Sequence, residues 1–263
     1  MIQNFWVHRA LIHQLTKREI LERYQGSYLG LVWSFITPLA MLAVYTIVFS
    51  VIFKSRWENT VTGSRAEVAM IIFTGLIAFE VFNETMLTAP RLVVSRANYV
   101  KKVVFPLEIL SISKMGSTLT NSLFSLLILL IGTTIFMGGF SWMIIFLPLM
   151  YIPLILLCLG LSWFLASLGV FIRDIAHLLG VIVRILFFLT PIFYPASIVP
   201  PQLGILLHLN PLTFIINHFR RVILWGQMPD WGEYLVVSMG AFIIYLFGYI
   251  WFMKSKKTFA DVI

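Results

Sequence analysis

The sequence predicts an all-α polytopic membrane protein with six transmembrane helices, and three observations lead there. Sixty per cent of the 263 residues are hydrophobic and 11% are charged, well below the roughly 25% charged residues of a soluble domain. The first long apolar run, Leu31–Phe53, holds 23 consecutive uncharged residues. A helix rising about 1.5 Å per residue needs about 20 of them to cross a bilayer core of about 30 Å. Basic residues gather between such runs rather than inside them. In a soluble chain a net charge of +8 would suggest nucleic acid; here the charge belongs to loops beside a membrane, and no nucleic-acid partner is expected.

Residues 1–27 come first and mix Phe5, Trp6, Leu11, Ile12, Leu15, Ile20 and Leu21 with Arg9, Lys17, Arg18, Glu19, Glu22 and Arg23. They lack the short apolar core and small-residue cleavage site of a signal peptide, so none is expected. The apolar residues are not confined to one arc of a helical projection. Trp6 and basic residues just before a span nevertheless suit a helix in the headgroup layer.

The expected spans are Leu31–Phe53, Val68–Ala89, Met115–Met137, Trp142–Ile172, Leu178–Tyr194 and Tyr234–Met253. The fourth run has 31 uncharged residues and carries Pro148 and Pro153, so a tilt or kink is expected there. Six crossings place both termini on one side. With intramembrane Arg184 set aside, thirteen Lys and Arg residues then fall on that side and five on the other, which makes the side of the termini cytoplasmic. For most of these basic loops, setting topology is a sufficient role.

The stretch between spans five and six is too apolar for a plain loop. Ile198–Leu209 and Leu212–Trp225 are each too short to span, and Asn210–Pro211 separates them. Runs of this length suit a re-entrant helical pair, which is tolerated at membrane depth when buried in protein or lining a cavity. An amphipathic hairpin lying on the outer surface is the alternative.

Ionisable groups inside spans come next. Glu80 and Glu84 are four apart and share a helix face; Glu84 should lie roughly 8 Å from the cytoplasmic end of its span. Arg184 enters the fifth span from the same side and reaches a similar depth, so an Arg184 pair with Glu84 or Glu80 is expected. That pair is either structural or part of a polar substrate path. Trp33, Tyr45, Phe49 and Phe53 lie in the first span, the last three at i, i+4 and i+8. Such a stripe faces lipid, packs on another helix, or stacks on sugar rings.

Several motifs are absent. No Gly precedes a Lys, so the chain holds no phosphate-binding loop of its own. Neither H-E-x-x-H nor G-x-S-x-G occurs, and the five histidines and lone Cys158 form no metal-ligand spacing. No catalytic residue, resident cofactor or metal is expected. Three classes stay open on the residues alone: an export permease driven by a separate ATPase, an ion-coupled secondary transporter using Glu80 and Glu84, and a membrane-embedded enzyme.

Three stretches in order resemble the membrane permease of bacterial ABC-type polysaccharide exporters, which move O-antigen, capsule or teichoic-acid chains. The first is Leu15–Phe53, with its basic pair, the Arg-Tyr-x-Gly-Ser-x-Leu-Gly turn, Trp33, Pro38 and Tyr45-x-x-x-Phe49. The second is GLIAFEVFNET followed by NYVKKVVFPLEIL, residues 75–85 and 98–110. The third is LTPIFYPASIVP followed by LNPL and Arg221. One departure is Phe79, where the family usually carries Trp.

The resemblance implies a single transmembrane permease domain over residues 1–263 that works as half of a transporter. Two copies form the pathway as a homodimer, and two separate nucleotide-binding ATPase subunits supply ATP and Mg chemistry. Residues 91–104, with Arg91, Arg96, Tyr99, Lys101 and Lys102, would couple to the ATPase. The N-terminal helix would flank it. Residues 195–225 would form an outer gate, and with the preceding turn its residues are Pro191, Tyr194, Pro195, Pro200, Asn210 and Pro211. The implied substrate is a glycan on a lipid pyrophosphate carrier, met at the cytoplasmic entrance by Arg23 and Lys101, in a bacterial inner membrane. An efflux permease for a smaller lipid or drug is the nearest rival.

Overall fold

The computed structural model describes residues 2–25, 28–52, 57, 64–101 and 105–262. Among these residues all regular structure is helical. In chain order the helices are α1 (Ile2–Val7), α2 (Arg9–Tyr24), α3 (Trp33–Tyr45), α4 (Arg65–Thr88) and α5 (Ala97–Lys101). They are followed by α6 (Ile109–Met137), α7 (Leu147–Phe171), α8 (Ile175–Leu189), α9 (Pro201–Leu209), α10 (Pro211–Ile223), α11 (Trp231–Ser255) and α12 (Phe259–Val262).

Four stretches are long and apolar enough to cross a bilayer: Arg65–Arg91, Ile109–Met137, Trp142–Phe171 and Trp231–Val262. They account for four of the six expected spans. The other two are shorter apolar helices. The first run makes α3 and then passes into a π-helical turn, Thr46–Ile52, so spacings of four no longer mark one helix face beyond Tyr45. The fifth run stops at Leu189, and its 15 helical residues rise only about 22 Å. Pro191 explains the stop, because the residue before a proline is driven out of the α region; Thr190 accordingly has ψ 134°.

α4 is the hub. Burial covers 83% of its most apolar window, against 17% for α11, because α4 touches α3, α6, α7, α8 and α10 while α11 lies along the outside of α7. Small residues permit the closest approaches. A Cβ added to Gly160 would sit 2.5 Å from the Ile244 carbonyl oxygen, and one added to Gly248 would meet the Gly160 backbone. Between helices in a membrane this backbone proximity supplies the dispersion contacts that a hydrophobic effect cannot. In α7, Pro148 sits in the first turn, where its missing N–H is harmless, and Pro153 lies inside the helix. Gly138 ends α6 in the left-handed region at φ 79°.

One end of the bundle gathers both termini. Leu15 of α2 is buried, Thr16 donates to the Ser113 carbonyl at 3.3 Å, and Gly116 of α6 leaves room for the Thr16 methyl. Phe5 stacks at 6.2 Å on Trp163, whose Nε1 donates to the Glu108 carbonyl at 2.9 Å. Lys256, just beyond α11, reaches the Glu108 carboxylate at 3.1 Å. The N-terminal helix is thus docked on α6, with Trp6 70% exposed at its edge.

Candidate functional site

At the end that carries α2, a cavity of about 350 Å³ opens between α3, α4 and α6. Each wall has a readable origin. α3 contributes Trp33, Ser34, Thr37, Met41 and Tyr45, and α4 contributes Phe73, Leu76, Ile77, Glu80 and Glu84. From α6 come Thr118, Asn121, Ser122 and Ser125, at i, i+3, i+4 and i+7, which places them on one face of the helix. Arg23, from the last turn of α2, closes the rim.

Glu84 organises the charge at this rim. Its carboxylate lies 2.8 Å from Arg23 and 2.8 Å from Lys114. Glu80, one turn earlier in α4, accepts from Asn83 Nδ2 at 3.0 Å. Ser122 Oγ and Tyr151 Oη are 2.7 Å apart on the α7 side. Ser34 Oγ and Thr118 Oγ1 are buried and have no hydrogen-bond partner among the described residues, although buried hydroxyls are normally satisfied. The cavity therefore offers aromatic faces, the Glu80 carboxylate, which forms no salt bridge among the described residues, and buried hydroxyls. That is the chemistry of a hydroxyl-rich, part-apolar ligand such as a sugar ring.

The expected Arg184 pair does not form. α8 turns Leu179 and Val183 inward, which leaves Arg184 on the exposed face, and Glu84 is held by Arg23 and Lys114 instead. Depth alone suggested the pair; which face of α8 meets α4 decided otherwise. Lys114, expected at the edge of a loop, lies inside α6, which begins at Ile109.

The segment after α4 is not one helix. Ala89–Arg91 and Val94–Arg96 are single tight turns, followed by α5. Leu92 and Val93 anchor it in the core. Arg91 is exposed, Arg96 pairs with Glu19 of α2, and Tyr99 stacks on Phe105 at 4.4 Å. Burial pulls the Arg96 guanidinium below its ordinary pKa. The Lys101 side chain and Lys102 lie outside the described residues, as do the Phe49 side chain and Phe53. One helix, α2, thus touches both sites: Glu19 reaches this segment and Arg23, one turn later, reaches the cavity.

At the other end the residues of the expected gate converge on the break after α8. Tyr194 Oη donates to the carbonyls of Phe188 and Leu189 at 3.0 and 3.1 Å. Asn210 caps α10 by accepting from Leu212 N–H at 3.0 Å, and its Nδ2 donates to Thr190 Oγ1 at 2.8 Å. Pro191 lends its carbonyl to Arg220 at 2.9 Å. Pro200 precedes α9 and Pro211 opens α10, whereas Pro195 precedes the turn Ala196–Ile198.

Two groups escaped the sequence analysis. The α6 stripe was legible, since Thr118, Asn121, Ser122 and Ser125 share a helical face. Arg220, one of the basic residues assigned above to the side opposite the termini, is in fact 1% exposed; its place within the apolar run Leu212–Trp225 was the available signal.

Comparison with known proteins finds relatives along nearly the whole chain. The model of the family described as ABC-2 type transporter matches residues 10–224. An O-antigen export system permease protein RfbA of Myxococcus xanthus is 23% identical over all of this chain and 99% of that protein. A permease of the same name from Klebsiella pneumoniae is 24% identical, covering 96% of this chain and 95% of its own length. The polysialic acid transport protein KpsM of Escherichia coli is 22% identical over 86% of each.

Proposed function

The chain belongs to the ABC-2 type transporter family, and from that premise we propose that it is the permease half of an ATP-driven polysaccharide exporter. The observation that carries this proposal is the end-to-end likeness to O-antigen permeases. In this proposal two copies form the pathway and two ATPase subunits dock at the end bearing both termini, which faces the cytoplasm of a bacterium. α3 and α8 complete a set of six crossings, with α9 and α10 as a re-entrant pair and α2 in the headgroup layer. ATP and Mg would be bound by the partner chain.

The geometry supports a division of labour. Residues 91–104 would seat in the ATPase, and α2 would relay its movement to the cavity through Glu19–Arg96 and Arg23–Glu84. The aromatic and hydroxyl lining suits sugars on their way through. The substrate would be a lipid-pyrophosphate-linked glycan. Arg23 would attract the pyrophosphate only by leaving Glu84, because the guanidinium is engaged there. O-antigen, capsule and teichoic-acid chains all fit this chemistry.

An ion-coupled transporter is the second reading, resting on Glu80. It is weaker because two cations already neutralise Glu84. The test is purification from the native membrane, followed by an ATP hydrolysis assay. Under the export proposal an ATPase subunit comes with the chain and is lost when residues 91–101 are replaced, and cells deleted for the chain retain their glycan inside. A chain that purifies alone and leaves surface glycan unchanged when deleted would sink the proposal.

A further inference from the structure

Arg220 is 1% exposed and ties together four separate stretches of chain. From α10 its Nη1 and Nη2 donate to the carbonyls of Pro191 and Ile192 at 2.9 and 3.0 Å. Its Nε donates to the Ile71 carbonyl of α4 at 3.2 Å. The guanidinium lies 4.7 Å from the ring centroid of Trp57, in the segment between α3 and α4. Desolvating a cation is costly, and here backbone oxygens and an aromatic face replace water. The site is fitted from the facing helix as well: a Cβ on Gly75 would come 2.9 Å from Arg220 Nη2 and 3.4 Å from Ile192 Cγ2.

Two of the carbonyls it takes lie in the non-helical break that follows α8. Tyr194 accounts for Phe188 and Leu189, and Arg220 accounts for the next two after Thr190. A planar guanidinium presents several donors in fixed directions, which a lysine ammonium cannot copy. We propose that Arg220 is the positioning residue that holds the outer end of the pathway closed, pinning the break after α8 to α4. This rests on the assignment of residues 195–225 as the outer gate. Opening would require the guanidinium to surrender the Pro191 and Ile192 carbonyls while staying on α10, so the pin would be a hinge point of the transport cycle.

The test uses the full chain in intact cells, with a membrane-impermeant maleimide and cysteine reporters; native Cys158 is buried. Ile192→Cys reports on the pinned break, Ser162→Cys on the buried interior at the other end, and Gln227→Cys on the outer loop. Arg220→Lys should speed labelling of Ile192→Cys about tenfold, the factor that loss of one charge-assisted hydrogen bond gives. Gly75→Ala, which crowds the guanidinium from α4, should act in the same direction. Ser162→Cys should stay unlabelled in both, and size-exclusion profiles should match the parent. Unchanged labelling at Ile192→Cys, or an equal rise at Ser162→Cys, overturns the pin. Silence of Gln227→Cys in the parent chain instead overturns the outer-face assignment, and the pin with it.

Discussion

The two ends of the bundle hold their cations in opposite ways. At the end away from the termini Arg220 is fully buried and bonded to three backbone carbonyls. At the other end Arg23 and Lys114, with side chains 35% and 13% exposed, share the single carboxylate of Glu84. Carbonyls belong to the backbone and cannot rotate away, so the first arrangement specifies a geometry. Side-chain ion pairs near water exchange partners at low cost, so the second suits a site that must rearrange as an anionic substrate passes. A rigid clasp at one end and exchangeable pairs at the other would suit the proposed exporter, in which the pathway is opened from the ATPase side.

That contrast can be broken from its strongest point downward. Arg220→Leu should cost roughly 3–5 kcal/mol, because several buried carbonyls lose a charged donor at once. Thermal unfolding in detergent would show this as a large fall in midpoint, and a fall equivalent to under about 1 kcal/mol would remove the outer clasp as a fold determinant. Gly169→Ala places a Cβ against the Pro90 backbone, at the junction of α7 with the segment proposed to couple to the ATPase. Overpacking of that kind costs about 1–3 kcal/mol, and ATPase coupling should suffer along with stability.

At the other end the effects are smaller and concern transport. Glu84→Gln should cost about 1 kcal/mol after allowance for solvent screening yet reduce glycan export markedly, since Arg23 then leaves the cavity rim. Retention of full export would separate the Glu84 cluster from the pathway. A double-mutant cycle sharpens this further. Arg23→Met with Glu84→Gln should show coupling of about 0.5–1 kcal/mol, whereas Arg184→Leu with Glu84→Gln should be additive. The smallest effect belongs to the exposed Arg18–Glu22 pair on α2: Arg18→Ala should leave both midpoint and export unchanged within error.

Some of this was open to inspection in the sequence, because it depends on properties carried along the chain. Apolar runs longer than a bilayer crossing marked the four long helices, and Asn210–Pro211 marked the break between α9 and α10. Glu80 and Glu84 announced a polar face by their spacing, and Trp33 and Tyr45 do line the same cavity. The α6 stripe obeys the same helical period. It was passed over because Ser and Thr hydroxyls count as neutral in an apolar run and often bond their own backbone, as Thr120 and Ser125 do.

By itself, then, the sequence determined the helical class, the long apolar helices and part of the cavity lining, Trp33, Tyr45, Glu80 and Glu84, all of which follow from periodicity, length and breakers. Only the tertiary structure decided which partner each charge takes. Glu84 meets Lys114 and Arg23 rather than Arg184 because α8 presents Val183 to the bundle and Arg184 away from it. Arg220 lies in the core because the break after α8 and the facing turn of α4 present carbonyls to it there. Pairing is a property of neighbouring faces, and neighbouring faces exist only once the helices have been assembled.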